Sequence, residues 1–353
     1  MARVGHIRVF AVLAALASVA VLLLGLIQTI ELWIFARALT GWAFSGLYMV
    51  IESWLNERSG GPHRGAVLSV YTVITLAAIA LGQLAVGFGA DYSTLTIIAA
   101  MIFMLGMIPV GLTRSTAPPI EPVSFRFKEV FKASQVAVVC AFVGGSVTSG
   151  VWALGPIVAA AMGMPLGQVG LFMAITIMGG AVLQFPVGRL SDFTDRRNVI
   201  LGLAVVGAAV CLAAILHGQF ESRISIFVLM FIFGGVTFPL YSLAVATAND
   251  NTELGIMEIS SVVLLMHSFG SILGPLVVAP LMDVVTEGLF AFSGVVLAAF
   301  ALWTSWRLRV HEVARRYFVP FIGIPRTTQE IGYALDHELA DEVEELEDTP
   351  PSR

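Results

Sequence analysis

The feature that most constrains this chain is a series of ten long apolar runs separated by short polar segments. Each run holds about 20 residues, enough for an α-helix to cross the roughly 30 Å hydrocarbon core of a membrane. The runs cover approximately residues 7–27, 32–54, 64–88, 94–113, 134–160, 168–188, 198–217, 224–248, 258–282 and 288–308. They are apolar on every side, whereas the strands of a membrane β-barrel alternate apolar and polar residues. The sequence therefore predicts an all-α membrane protein with about ten transmembrane helices.

The composition argues against a soluble globule. Charged residues make up 12% of the chain and hydrophobic residues 58%, against about 25% and about 45–50% in ordinary soluble domains. The acidic residues concentrate in the tail around Asp336–Asp348, so the net charge of −5 indicates no nucleic-acid partner. Cys140 and Cys211 both lie in apolar runs, which favours simple packing over a disulfide framework or a metal site.

The basic residues indicate which ends of the runs face the cytoplasm, because Lys and Arg stay on that side of a membrane. With the N-terminus inside, all but two of the 19 basic residues fall on the cytoplasmic side. The exceptions are Arg223, which falls outside, and Arg37, which lies within a run. Both termini are therefore expected to be cytoplasmic.

The chain also contains an internal repeat, which predicts its domain organisation. Gly41, Tyr48 and Glu57 match Gly234, Tyr241 and Asp250, each pair 193 positions apart. Many transporters consist of two such duplicated helical halves. Residues 114–133 are rich in Pro and basic residues and are expected to link the halves. The predicted domains are an N-terminal half, 1–113, a cytoplasmic linker, 114–133, a C-terminal half, 134–310, and an acidic cytoplasmic tail, 311–353.

Three short motifs resemble those of a known family. The run Gly188-Arg-Leu-Ser-Asp-Phe-Thr-Asp-Arg-Arg197 follows the pattern Gly-x-Leu-(Ala/Ser)-Asp-x-x-(Gly/Asp)-Arg-(Arg/Lys) at nearly every position. The segment Arg3-Val-Gly-His-Ile-Arg8 keeps only the end of that pattern. The segment Arg37-Ala-Leu-Thr-Gly41-Trp-Ala-Phe-Ser-Gly46 resembles Arg-x-x-(Gln)-Gly-x-x-(Ala). With these motifs and Ile51-Glu-Ser-Trp-Leu-Asn-Glu57, the chain resembles the major facilitator superfamily of transporters, and within it the YcaD-like branch.

The resemblance implies a fold of two pseudo-symmetric helical bundles, here with four and six spans where the family has six and six. In the second half, two spans in residues 134–188 precede the charged loop that ends at Arg197. In the first half, no span precedes the matching segment at Arg3–Arg8. By symmetry, the chain is expected to lack its first two helices. Two interpretations stay open: a start codon recorded downstream of the true start, or a genuine ten-span protein that would lose part of its substrate site.

One set of candidate residues lies at the cytoplasmic ends of the helices. It comprises Arg3, Gly5, Arg8, Glu52, Gly188, Asp192, Arg196 and Arg197. Charged groups at helix ends can pair across the two halves in one state and separate in the other. Asp192, Arg196 and Arg197 are therefore expected to form a latch, the alternative being that the basic residues only set topology. Glu52 is expected to accept an ion pair from Arg3 or Arg8, with proton carriage as the alternative.

Arg37 is a second kind of candidate, because it is a charge within an apolar run. An Arg at a helix centre costs about 2.5–3.5 kcal/mol on insertion scales, so we expect it to face the bundle rather than lipid. The superfamily motif implies that it assists proton transfer or holds an anionic group of the substrate. The alternative is that it bonds carbonyls of neighbouring helices. Gly41, Tyr48 and Glu52 fall within about 60° of Arg37 around the helix and would line the same cavity.

His267 and several aromatic residues complete the candidates. His267 lies near the middle of its run and would titrate near neutral pH, which would couple transport to protons. Its alternative role is a hydrogen-bonded structural one. The aromatic candidates for stacking on a planar or amphipathic substrate are Trp42, Tyr48, Tyr71, Trp152 and Tyr241. Packing alone is the alternative for each of them.

The predicted function is secondary active transport of a small solute across the bacterial inner membrane by alternating access, coupled to protons. The sequence contains no Gly-Lys-(Ser/Thr) nucleotide loop, His-Glu-x-x-His or Gly-x-Ser-x-Gly, so neither ATP-driven transport nor an enzyme is expected. The alternatives are an inactive, N-terminally truncated transporter, or a facilitative or riboflavin-type vitamin carrier. The expected partners are the solute, the lipid bilayer and protons, with no cofactor, metal or nucleic acid, and the protein is expected to be a monomer.

Overall fold

The computed structural model describes residues 6–58, 64–85, 87, 91–112, 126–217, 223–250, 254, 256–285 and 287–310. Within these residues the regular structure is helical, with no β-strand. The helices are α1 His6–Leu26, α2 Ile30–Arg58, α3 Arg64–Ala85, α4 Tyr92–Gly111, α5 Phe127–Ala133, α6 Gln135–Ala161, α7 Leu166–Phe193, α8 Arg196–His217, α9 Arg223–Thr237, α10 Pro239–Asn249, α11 Ile256–Val284 and α12 Gly288–Val310. Helices are the expected outcome in lipid, because each one satisfies its own backbone N–H and C=O groups.

The helices confirm the predicted all-α membrane fold. Nine helical segments among the described residues are long and apolar enough to cross a membrane, and they coincide with nine of the ten predicted runs. The exception is the run at 64–88, where the apolar part of α3, Val70–Ala85, is shorter than the others. Helices α9 and α10 together form one span, Arg223–Asn249. Its interruption lies at Pro239, which lacks the N–H that would continue the helix.

The contacts divide the described residues into two compact units. The first holds residues 6–70 and 91–112, and the second holds residues 71–87 and 126–310. In the first unit, α1 packs against both α2 and α4. The core between α1 and α2 is formed by Leu13, Ala14, Ala17, Ala43, Leu47 and Val50. Asp91 caps α4 at its N-terminus, and hydrogen bonds from Ser93 and Thr94 hold the pKa of the Asp91 carboxyl well below its usual range.

In the second unit α6 and α11 form the most extensive helix pair, and glycine makes their close approach possible. A Cβ on Gly145 would overlap the carbonyl oxygen of His267. Likewise, a Cβ on Gly270 would overlap that of Phe142, and one on Gly274 would overlap that of Ser146. Helices α7 and α9 approach through Gly179 and Gly234 in the same way. Glycines such as Gly145 and Gly179 thus stand where two helix backbones approach closely.

The helix contacts support the duplicated plan. Helix α1 packs with α2 and α4, and in the second unit α8 packs with α9 and α12, the elements that the sequence repeat places opposite them. Helix α3 differs from the predicted division into halves, because its residues from Tyr71 group with the second unit. The reason is local: a Cβ on Gly170 of α7 would overlap the carbonyl oxygen of Gln83, so the two backbones touch there. The predicted halves, 1–113 and 134–310, stay a prediction.

We expect Gly270→Ala to destabilise the protein by about 1–3 kcal/mol, because the added methyl group must push α11 away from the backbone of α6. Gly202→Ala on α8 is the matched control, since a Cβ there meets nothing within 4 Å. Thermal unfolding of the two purified variants in detergent checks this. Equal unfolding midpoints for both variants would show that the α6–α11 contact is not as close as described.

Candidate functional site

A buried arginine joins three helix ends in the second unit. Arg196, the first residue of α8, is 1% exposed. Its Nη2 lies 3.3 Å from Oδ1 of Asp192 near the end of α7, and its Nε lies 2.9 Å from Oδ2 of Asp250 at the end of α10. Asp250 is itself buried. One cation thus ties α7, α8 and α10 together through two carboxylates.

The local sequence explains why these groups meet. Asp192 and Arg196 are four residues apart at the turn between α7 and α8, a spacing at which helical side chains can pair. Asp195 accepts hydrogen bonds from the backbone N–H of Arg197, at 2.9 Å, and from its guanidinium Nη2, at 2.7 Å. A carboxylate at the start of α8 also favours the helix electrostatically. The predicted gate residue Gly188 is buried in the last turns of α7, where its carbonyl accepts the hydroxyl of Ser191.

A second polar site lies where α10 meets α11. The rings of Tyr241 and His267 meet edge to face, with centroids 5.0 Å apart and planes at 75°. Both side chains are buried, at 1% and 8% exposure. Nδ1 of His267 lies 3.4 Å from the hydroxyl of Ser271, one turn further along α11. A buried imidazole in a membrane span is thus held by a phenol ring and a hydroxyl.

An aromatic stack lies close to this pair along the chain. The indole of Trp152 on α6 stacks on Phe238, with centroids 6.2 Å apart and planes at 20°. Phe238 sits at the break between α9 and α10, three residues before Tyr241. Trp152 is partly exposed, whereas Phe238 is buried. The two ring pairs, Trp152 with Phe238 and Tyr241 with His267, come from either side of the break at Pro239; we call these four residues the aromatic site.

The candidates on α2 lie in the first unit. The buried side of α2 includes Ala36, Thr40 and Ala43. Arg37 is exposed, with its guanidinium carbon 5.9 Å from the centre of the Trp33 ring. A Cβ on Gly41 would meet nothing within 4 Å, so the side of α2 beside Arg37 is open.

The other candidates are placed as follows. Tyr48 is partly buried, 6.3 Å from the ring of Phe44. Trp42 is 62% exposed and lies about 140° around α2 from Arg37, so the two do not share a face. Tyr71 is partly buried on α3, and Arg8 is exposed in the first turns of α1. Arg3, Gly5 and the side chain of Glu52 lie outside the described residues, so the ion pair predicted for Glu52 remains a prediction.

Sequence analysis singled out Trp152, Tyr241 and His267 one by one, and the structure shows which of them are in contact. It missed Asp250 and Phe238 as site residues. The repeat held a signal for Asp250, because this position falls opposite Glu57 at the end of a span. No comparable signal marks Phe238, since its role depends on the break at Pro239 and on the stacking of Trp152.

Comparison with known proteins decides the family. The family model described as Major Facilitator Superfamily matches residues 1–257 and 138–339. The chain belongs to the major facilitator superfamily. Like other members, it is an integral membrane protein and a membrane transporter, as the nine apolar spans among its described residues also indicate.

Named relatives place the transporter in the YcaD-like branch. It is 26% identical over 296 residues to the uncharacterized MFS-type transporter YcaD of Salmonella arizonae, covering 81% of this chain and 75% of the relative. The YcaD protein of Escherichia fergusonii is 25% identical over 293 residues, with the same coverage.

Two solved structures share the fold. One is a bacterial homologue of the human lysosomal transporter Spinster, in an inward-facing and unoccupied conformation. It has a TM-score of 0.63 and 15% identity, covering 96% of this chain and 85% of that one. The other is the E. coli fucose:proton symporter FucP, with a TM-score of 0.51 and 15% identity, covering 85% and 83%.

We expect Asp250→Asn to destabilise the protein by about 3–5 kcal/mol, because it leaves the buried Arg196 with a weakened counter-charge. The control is Asp195→Asn, which breaks the more exposed pair with Arg197 and should cost about 1 kcal/mol or less. Chemical unfolding of both variants in detergent measures the difference. A loss no larger for Asp250→Asn than for Asp195→Asn would contradict the buried network.

Proposed function

We propose that this transporter moves a small solute across the bacterial inner membrane by alternating access, with proton movement coupled at His267. The observation that carries the proposal is the edge-to-face contact between the buried imidazole of His267 and the ring of Tyr241 in the aromatic site. Ionisable side chains inside a membrane span are expensive and mostly serve transport or proton transfer. Histidine is the side chain whose ordinary pKa lies nearest neutral pH. The protein acts as a carrier and not as an enzyme.

The aromatic site offers a surface for the solute. Stacked and edge-to-face aromatic rings bind planar or amphipathic molecules through their faces. Trp152 is partly exposed while its stacking partner Phe238 is buried, so the indole is the part of the site that solute would reach first. Tyr241 and His267 supply polar atoms that orient the solute.

The charged centre around Arg196 acts as the latch. Its two ion pairs join the ends of α7, α8 and α10, so these ends separate only when a buried cation loses a counter-charge. Such a bistable contact suits a protein that alternates between two states differing by a few kcal/mol. We also propose that Asp192, Arg196 and Arg197 pair with the other half of the protein in one of these two states.

The orientation and assembly are proposed from the sequence. Placing both termini in the cytoplasm leaves all but two of the 19 basic residues on the cytoplasmic side. The protein functions as a monomer. FucP is described as a fucose:proton symporter. In the present protein, proton coupling is supported by the chemistry of His267 and of Arg37, an arginine within a span.

His267→Gln should uncouple transport from protons. Glutamine keeps hydrogen-bonding capacity but does not titrate, so solute exchange should persist while solute-driven proton movement is lost. A thermal-shift screen of vitamins, sugars and organic anions on the purified protein selects the solute. Proteoliposomes containing a pH-sensitive dye then compare His267→Gln with Ser268→Ala, a hydroxyl on the exposed side of α11. Full proton movement with His267→Gln would remove this residue from the coupling.

Arg37→Ala should abolish coupled uptake without preventing membrane insertion, because α2 keeps its buried face against α1. Phe35→Ala, at an exposed position on the other side of the same helix, is the control for nonspecific damage. Uptake into vesicles and the amount of protein in the membrane are measured together. Normal uptake by Arg37→Ala would exclude this residue from the mechanism.

A further inference from the structure

The distribution of charge in the second half of the sequence constrains the solute that the aromatic site can take. In residues 134–310, every Asp and Glu lies at an end of an apolar run or between two runs, as Asp192 and Asp283 do. Every Arg, such as Arg189, follows the same rule, and this range contains no Lys. His267, near the middle of α11, is therefore the one side chain inside these spans that gains a positive charge by taking up a proton.

The carboxylates on the helices that carry and contact His267 lie well away from it along the helix axes. On α11, Glu258 comes nine residues earlier, about 13 Å along the axis, and Asp283 comes about 24 Å later. On α10, Asp250 comes nine residues after Tyr241, the contact of the imidazole. The spans of α6 and α12, which also pack against α11, contain no acidic residue. These four spans thus provide a cation on protonation and no carboxylate at the same level.

The other titratable groups on these helices are neutral or lie at helix ends. The phenol of Tyr241 on α10 and the thiol of Cys140 on α6 belong to types that are ordinarily neutral near pH 7. The charged groups are Arg307 and Arg309 in the last turn of α12, and Arg126, Lys128, Glu129 and Lys132 of the α5 region, which meets α11 where Arg126 pairs with Glu258. The charge that develops at the aromatic site is therefore positive.

The cost of burying charge links a proton to an anion. A positive imidazole inside a span is expensive, and so is a carboxylate taken out of water alone. Brought together, they form an ion pair with no net charge, and their attraction is stronger there than in water. Each then raises the affinity of the site for the other by the same factor. This coupling is what transport of a solute together with a proton requires.

The aromatic residues determine the rest of the solute. Gly145 of α6 abuts the backbone of His267, because a Cβ on Gly145 would overlap the His267 carbonyl oxygen. Trp152 is seven residues further along α6, on nearly the same face and about 10 Å along the axis. A solute that stacks on the partly exposed indole and reaches the imidazole with its charged group has an aromatic ring and a short side chain.

We propose that the transported solute is an aromatic carboxylate that binds together with a proton on His267. The inference rests on the proposed transport function and names its substrate class. The proton adds to the imidazole, the carboxylate pairs with the imidazolium, and both leave on the other side of the membrane with every bond of the solute intact. The loaded site is neutral, so one proton and one monoanion cross together without net charge.

Isothermal titration calorimetry of the purified full chain in detergent tests the substrate class. The probes share a ring and differ in charge: indole-3-acetate, indole-3-acetamide and tryptamine, and 3-phenylpropionate with its amide and its amine. At least one carboxylate should bind about tenfold more tightly than its amide and amine. Titrations in two buffers of different ionisation enthalpy should show that it takes up a proton. Equal or tighter binding by the amide or amine, or no binding by any probe, would overturn the inference.

A matched pair of variants tests the role of the imidazole. His267→Gln should abolish both the proton uptake and the advantage of the carboxylate over its amide. His217→Gln, the same change at the end of α8, should keep both. A carboxylate preference that survives in His267→Gln would overturn the assignment of the anion to this residue.

Transport in proteoliposomes separates this inference from the proposed function. Above the rate in protein-free liposomes, a pH gradient should drive carboxylate uptake and a potassium diffusion potential should not. Uptake driven by the potential, or proton movement through His267 with an uncharged vitamin or sugar, would overturn the inference and leave the proposed function standing. Proton movement that persists in His267→Gln would contradict the proposed function itself.

Discussion

The absence of hydrogen-bond partners in lipid is the constraint on which the rest of this structure depends. Each span satisfies its own backbone groups as a helix, and hydroxyl groups follow the same rule. Thr148, Thr176 and Thr247 each donate to the carbonyl four residues earlier in their own helix. With polar groups satisfied within each helix, association depends on shape. Glycines such as Gly179 and Gly270 therefore stand where one helix backbone meets another.

Because ionisable groups are costly to bury within a membrane, the buried charges and the buried imidazole call for a functional explanation. Arg196 carries the cost of desolvation at the junction of three helix ends, where a packed apolar side chain would often be as stable. An ion pair forms only between particular partners and can be broken and remade, whereas apolar side chains pack against many surfaces. A transporter that alternates between two states needs contacts of the first kind. His267 poses the same question in the middle of α11. Proton coupling is the answer proposed for it.

The sequence predicts the local features of this protein well and its contacts poorly. The spans follow from the length of the apolar runs, and the family motif marks Asp192 and Arg196 as a charged pair. The partner Asp250 is 54 residues beyond Arg196, so their contact depends on how α8 packs against α10. The same holds for the stack of Trp152 on Phe238, which needs the helix break at Pro239. Arg37, which the sequence leads us to expect on the face toward the bundle, is exposed in the first unit, because a run that is apolar on every side does not show which of its faces meets a neighbouring helix.

The central claim is that the aromatic site is a polar centre reached by water from one side of the membrane at a time. Ser271, which contacts His267, offers a position for testing it as Ser271→Cys. The natural Cys140 and Cys211 are buried, and Ser293→Cys, at a fully buried position of α12, is the control. A membrane-impermeant maleimide should label Ser271→Cys from one side of the membrane only. Adding the solute should change the side from which labelling occurs. Labelling from neither side, as in the control, or from both sides at once would contradict the account.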